Sequence, residues 1–269
     1  MNGRTRPNRA SVERPLSALG AVGWTLALLA IEHICVGVTE AARHGALTDI
    51  VNLTACDVLA VSIVLFAILR AHAAGIAVRD ALGFRRLSIL HVVLAAAAGA
   101  GLCPLLSVVD GRILARWPYE DPEILASIQK LVSSSPRVAL VVGVFLIIPI
   151  ARELFFRGAI YEALASRGAK AAVVVTAVLS TAFALDWRTM PSALLLGLAL
   201  GWIRAQSGSV IAAIVLHVAF WSVDAVPILA GRDPAADAPY PSSWVVGCAA
   251  VAVAALIAAR LTRSLKPSL

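Results

Sequence analysis

Residues 149–158 place three ionisable side chains, Arg152, Glu153 and Arg157, directly behind the long apolar run 138–150. An ionisable group at membrane depth is costly, so it usually faces a polar interior and marks function. Glu153 and Arg157 are four apart, so on a helix they share a face and can pair. Arg152 turns about 100° away from Glu153. Pro149 has no amide hydrogen, which predicts a kink just before the charges. A second chemistry-bearing group, His217, sits inside the apolar run 210–229. A carboxylate and an imidazole held together can take a proton from a water and return it, which is general acid–base chemistry.

Helices must deliver these groups. The chain is 60% hydrophobic and 14% charged, against about 25% charged for a soluble domain. With apolar runs near crossing length, this predicts an all-α polytopic membrane bundle of about eight transmembrane helices. The expected spans are 16–38, 50–74, 89–109, 137–165, 170–187, one ending near 205, 210–229 and 245–261. The fourth exceeds a crossing, so its far end is expected to project from the membrane. The connector 79–86 is basic and amphipathic. The longest connection, 110–137, carries Trp117, Pro118 and Tyr119 and is expected along the outer interface, where aromatics settle. Ser133–Pro136 reads as the start signal of the fourth span.

The net charge of +7 does not point to nucleic acid, because the basic residues fall in short loops and tails. On one side fall the N-terminal arginines, Arg70, Arg79, Arg85, Arg86, Arg167, Lys170, Arg204 and the C-terminal cluster. The opposite loops are nearly balanced, so both termini are expected in the cytoplasm. Cys35, Cys56, Cys103 and Cys248 stand in apolar stretches at irregular spacing and read as small core side chains. No zinc signature, phosphate loop or dinucleotide fingerprint occurs, and the expectation is no cofactor and no metal.

The fourth and fifth spans form a hairpin with its turn at 166–168. Glu153 stands about 14 residues before that turn and Asp186 and Trp187 about 18 after it, so both lie roughly 20–27 Å along their helices. Glu153 and the stretch 183–187 can therefore face each other.

These residues resemble the motifs of the CPBP family, the CAAX-protease and bacteriocin-processing intramembrane endopeptidases. The first family motif, P-x-x-E-E-x-x-x-R-G, matches at Pro149, Glu153, Arg157 and Gly158 and departs at Arg152. The second, F-x-x-x-H, keeps Phe183 and has Trp187 for the histidine, with Asp186 beside it. The third, H-x-x-x-N, keeps His217 and has Trp221 for the asparagine. The resemblance covers roughly residues 137–224. It implies peptide-bond hydrolysis in or near the membrane. There the first glutamate and the second-motif histidine activate a water, and the third-motif pair stabilises the oxyanion. Arginine cannot accept a proton, and tryptophan offers only an indole donor. Three of the four roles are thus unfilled, and removing members of such a constellation costs orders of magnitude in rate.

Each residue carries two readings. Glu153 is a surviving acid/base or a structural partner of Arg157. Arg152 snorkels toward an interface or fills the vacated base site and neutralises Glu153. His217 is a site residue or a satisfied core histidine. Asp186 is a replacement base or a solvated span end, and Asp224 orients the imidazole or is span-end polarity. Trp187 and Trp221 pack a vacated cavity or stack on a ligand. Glu32 and His33 form a second polar island without a motif, and Glu162 is expected to be solvated.

The domain expectation is a basic cytoplasmic tail at 1–15, N-terminal spans and outer loop at 16–136, a CPBP-like core at 137–225, and an outer loop, last span and basic tail at 226–269. The expected setting is a multi-pass cell membrane protein of bacterial inner-membrane type, in contact with the lipid bilayer. The first functional expectation is an impaired homologue that binds a membrane peptide or protein partner. The alternatives are an active glutamic-type intramembrane endopeptidase using Glu153 and His217, and a small transporter with a proton path through Glu32, His33 and Glu153.

Overall fold

The computed structural model describes residues 16–119, 121–183, 186–230 and 240–264. The expected basic tail 1–15, most of the loop after 230 and the last five residues with Lys266 lie outside the described residues. Every regular element among the described residues is helical.

Helix starts follow local chemistry. Ser17, Asp49, Ser88 and Ser209 each precede an apolar run, and each side chain accepts from an amide of the helix's first turn. They open α1 (Ala18–Ala42), α2 (Ile50–His72), α4 (Ile89–Arg116) and α11 (Val210–Leu229). The short α3 (Val78–Ala81) lies in the basic connector. The long connection after α4 is not irregular throughout: it holds α5 (Pro122–Ser134), with Pro122 at its first turn and Asp121 as its cap.

The fourth span, Arg137–Ala165, is one continuous rod of alternating winding. Three α-helical pieces, α6 (Arg137–Val142), α7 (Ile148–Glu153) and α8 (Tyr161–Ala165), alternate with π-helical turns at Gly143–Ile147 and Leu154–Ile160. Pro149, where a kink is expected, follows closely on the first of these wider turns. In the first π turn Ile148 N–H bonds the carbonyl five residues back, at Gly143. A ladder stepped by five passes a proline that would leave the four-step carbonyl without a donor. α9 (Ala169–Phe183), α10 (Met190–Ser207) and α12 (Ser242–Ser264) complete the bundle.

Among the described residues, six helices are long and apolar enough to cross a membrane: α1, α2, α4, the fourth-span rod, α11 and α12. α9 is apolar but has only 15 residues. α4 packs against both α11 and α12, and α9 packs against α10. The approach of α4 to α11 depends on Gly99, where a side chain would overlap the Leu216 carbonyl. Close backbone contact through small residues is the usual cohesion of helices in lipid. One apolar core gathers Phe155, Phe156, Ile160 and Phe183 with α1 and α2, and another gathers Leu196, Leu200 and Leu216 with α4 and α12.

Candidate active site

Successive residues on the fourth span turn to opposite partners. Glu153 is fully buried, 0% exposed, on the side of α10 and α11. His217 Nδ1 lies 2.9 Å from Glu153 Oε1, and Arg157 donates from Nη1 to the same oxygen at 3.2 Å. Arg157 is itself buried, and its Nη2 donates to Ser180 Oγ at 3.1 Å and to the Gly197 carbonyl at 2.9 Å. That donor reaches α10 because residue 197 has no side chain; a Cβ there would press on the guanidinium. Glu153 therefore sits between one fixed cation and one imidazole, and its second oxygen, Oε2, has no protein partner.

Arg152 faces the other way. Its Nε donates to Asp57 Oδ1 at 3.0 Å, its Nη2 reaches Glu32 Oε1 at 3.4 Å, and its guanidinium lies 4.6 Å above the Phe183 ring. Two carboxylates thus share one guanidinium where α1, α2 and the fourth span meet. Its ion pairs run to Asp57 and Glu32 and not to Glu153. Asp57 was not singled out from the sequence. It is the one acid within the apolar stretch 50–69, and its depth in a span was the signal that marks it.

The remaining candidates divide. Phe183 is buried between Arg152 and Phe156. Trp221 stacks flat on Phe145, with ring centroids 5.3 Å apart and planes 8° apart. Phe145 and Trp221 stand eight and four residues from Glu153 and His217 on their respective helices, so the stack belongs to the same inter-helix face. Trp187 is not brought to that face. It is 50% exposed and meets Trp117 edge-on, with Arg188 over its ring. Asp186 accepts from Tyr119 Oη and from the Arg188 amide. A register that puts 186 and 187 opposite Glu153 needs a helix continuous through them, whereas Asp186 and Trp187 lie outside any helix.

Asp186 lies outside the spans. Burial pushes its carboxyl up, but the Tyr119 hydroxyl and the Arg188 amide and guanidinium outweigh it and hold the carboxyl below its ordinary range. Asp224 does not orient His217; it accepts from Tyr240 Oη and Cys103 Sγ. Glu162 is not simply solvated: it pairs with Arg204 and, at 3.6 Å, with Arg85. His33 meets only its own helix, at the Leu29 carbonyl, among the described residues. Of Glu32 and His33, Glu32 is the one joined to the fourth span.

Chemically, the Glu153–His217 pair can fix one imidazole tautomer and leave the other ring nitrogen, Nε2, for a ligand or a water. His217 keeps 14% side-chain exposure, so that nitrogen is not sealed. Arginine at 152 offers donors only.

Comparison with known proteins bears on the same segment. Residues 134–223 match the family model described as type II CAAX prenyl endopeptidase Rce1-like. No curated protein and no solved structure matches the chain. The match encloses Arg152, Glu153, Arg157, Phe183, His217 and Trp221. The chain thus carries a match to the Rce1-like (CAAX prenyl endopeptidase, CPBP) family over residues 134–223, in an all-helical fold with several helices apolar enough to cross a membrane.

Proposed function

We propose that this protein is a catalytically impaired Rce1-like homologue that binds a membrane-embedded peptide or protein segment without cutting it by the family's route. The observation that carries this reading is Arg152, at the position of the family's first glutamate and held by Asp57 at 3.0 Å. A general base must accept the water's proton, and a guanidinium clamped between carboxylates cannot. The stacking of Trp221 on Phe145 supports the same reading, since a bulky ring fills the place of the family's asparagine. Trp187, half exposed and paired with Trp117, supplies no replacement for the second-motif histidine.

A second reading, an active endopeptidase, has one observation in its favour: Glu153 meets His217 at 2.9 Å with Nε2 left available. One experiment separates the two. The protein is purified in detergent and incubated with a peptide library, with Glu153→Ala and His217→Ala as controls. The binding reading expects no cleavage above the controls and photo-crosslinking of membrane peptides to the wild type. Cleavage that either substitution abolishes would establish the endopeptidase instead.

The proposed setting is a bacterial cell membrane, crossed eight times with both termini in the cytoplasm. The basic groups Arg70, Arg79, Arg85, Arg86, Arg167 and Lys170 support that orientation. Reporter fusions after residues 75, 118, 167 and 188 would test it.

A further inference from the structure

Arg204 is counted from the sequence as one of the charges that orient the chain, yet its exposure is 2%. Its Nε donates to the backbone carbonyl of Arg157 at 3.1 Å. Its guanidinium also pairs with Glu162 and lies 4.8 Å over the Tyr161 ring.

The winding of the fourth span explains why that carbonyl needs an outside donor. Through Leu154–Ile160 the ladder steps by five, and Tyr161 N–H reaches back to the Phe156 carbonyl. From Tyr161 the helix is α again and steps by four. Where a five-step ladder returns to four steps, one carbonyl is passed over, and here it is that of Arg157. A buried carbonyl without a donor is costly. Arg204 supplies the donor from a neighbouring helix, and so fixes the place where the winding changes. That place decides where the Arg157 side chain emerges, and with it the groups it holds, Glu153, Ser180 and Gly197.

The connector supports Arg204 from behind. Gly83 has φ +69°, and a side chain there would overlap the Arg204 guanidinium and the Glu162 carboxylate. The Gly83 carbonyl accepts from Val210 N–H at 3.1 Å. The first amide of α11, the helix that carries His217, is thereby tied to the same corner.

We propose that Arg204 is a positioning residue for the Glu153–His217 pair: it holds the Arg157 carbonyl at the end of the π turn, so that the Arg157 guanidinium meets Glu153 while Glu153 meets His217. This rests on the reading that the Glu153–His217 pair is the functional centre of the Rce1-like domain.

The test is the imidazole 15N signal of His217 in the full-length protein in nanodiscs, identified among the five histidines by its loss in His217→Gln. Glu153→Gln is measured first. A displaced His217 signal establishes the pair, and an unmoved one removes the pair and the present inference with it. With the pair established, Arg204→Gln is expected to displace or broaden the His217 signal while those of His33, His44 and His72 stay in place. Arg204→Lys keeps a buried cation beside Glu162 but loses the planar fork. It is expected to fold as the wild type does and still displace the His217 signal. Glu162→Gln, which leaves the bond from Nε to the carbonyl, is expected to leave it within the wild-type linewidth. An unmoved His217 signal in folded Arg204→Lys would overturn the positioning role, even with the pair intact.

Discussion

Arg152 donates from Nε to Asp57 Oδ1 at 3.0 Å, so the guanidinium one residue before Glu153 belongs to the α1–α2 side of the bundle. The ionic system of the fourth span is therefore two systems. On one side, two carboxylates share one arginine. On the other, one carboxylate is shared by an arginine and a histidine. Adjacent positions on one helix can serve both because their side chains diverge by about 100°.

Removing Arg152 leaves Asp57 and Glu32 without a cation, and removing Asp57 takes from Arg152 its nearer partner and leaves only the 3.4 Å contact with Glu32. Asp57→Ala is expected to cost about 2–4 kcal/mol, less than a fully buried pair because water still reaches part of the Arg152 side chain. The double change Asp57→Ala with Arg152→Ala is expected to cost less than the sum of the two single changes. Thermal unfolding in detergent across the four variants gives the coupling. Strict additivity would show that the 3.0 Å contact carries no energy.

The same system controls any attempt to restore the family's chemistry. Arg152→Glu would set a third carboxylate against Asp57 and Glu32, with no cation among them. That variant is expected to unfold at a markedly lower temperature than the wild type. Adding Asp57→Asn and Glu32→Gln is expected to recover most of the loss. Trp187→His adds nothing to such a design, since that side chain stands with Trp117 and not at the site. A stable single Arg152→Glu would mean that Asp57 and Glu32 do not face the position.

Trp221 tests how closed the site is. Its stack on Phe145 joins the fourth span to α11 beside His217. Trp221→Ala removes the larger ring, so carbethoxylation of His217, followed by mass spectrometry, is expected to speed up several-fold. The rate at His72, which is engaged by Trp24, is expected not to change. An unchanged His217 rate would show that the stack does not limit access.

The spans were legible because lipid leaves the backbone no choice: an apolar run of crossing length must be helical. Residues 210–229 were read from hydropathy alone and form α11 with those limits. The fourth span was likewise bounded at 137 and 165. Its internal winding was not legible, because Pro149 signals a disturbed ladder without saying whether the helix bends or widens. The Glu153–Arg157 pair could be read from spacing, since both groups lie on one helix. Asp57 could not be joined to Arg152 that way, because 95 residues and the packing of separate helices lie between them. The burial of Arg204 was hidden for a related reason. A cation near a span end looks like a topology signal until the burial of its helix is known.

The Trp117 end of the bundle supplies a prediction about pH. Asp186 has its carboxyl held below its ordinary range: burial opposes the charge, but the Tyr119 hydroxyl and the Arg188 groups outweigh it. A carboxyl whose folded value is lowered contributes stability above its unfolded value, about 3.9, and loses it as pH falls through the lower folded value. Tyr119→Phe removes one of the donors that favour the charged form. The variant is expected to be less stable than the wild type at pH 7 by about 0.5–1 kcal/mol, a modest figure because the pair is partly open to solvent. The difference should narrow below about pH 4, where the unfolded carboxyl takes up its proton first. Paired thermal unfolding curves at pH 7, 5 and 3 in an acid-stable detergent check it. A difference that stayed constant across that range would assign the loss to packing of the Tyr119 ring against Arg188, 4.7 Å away, and not to the carboxylate.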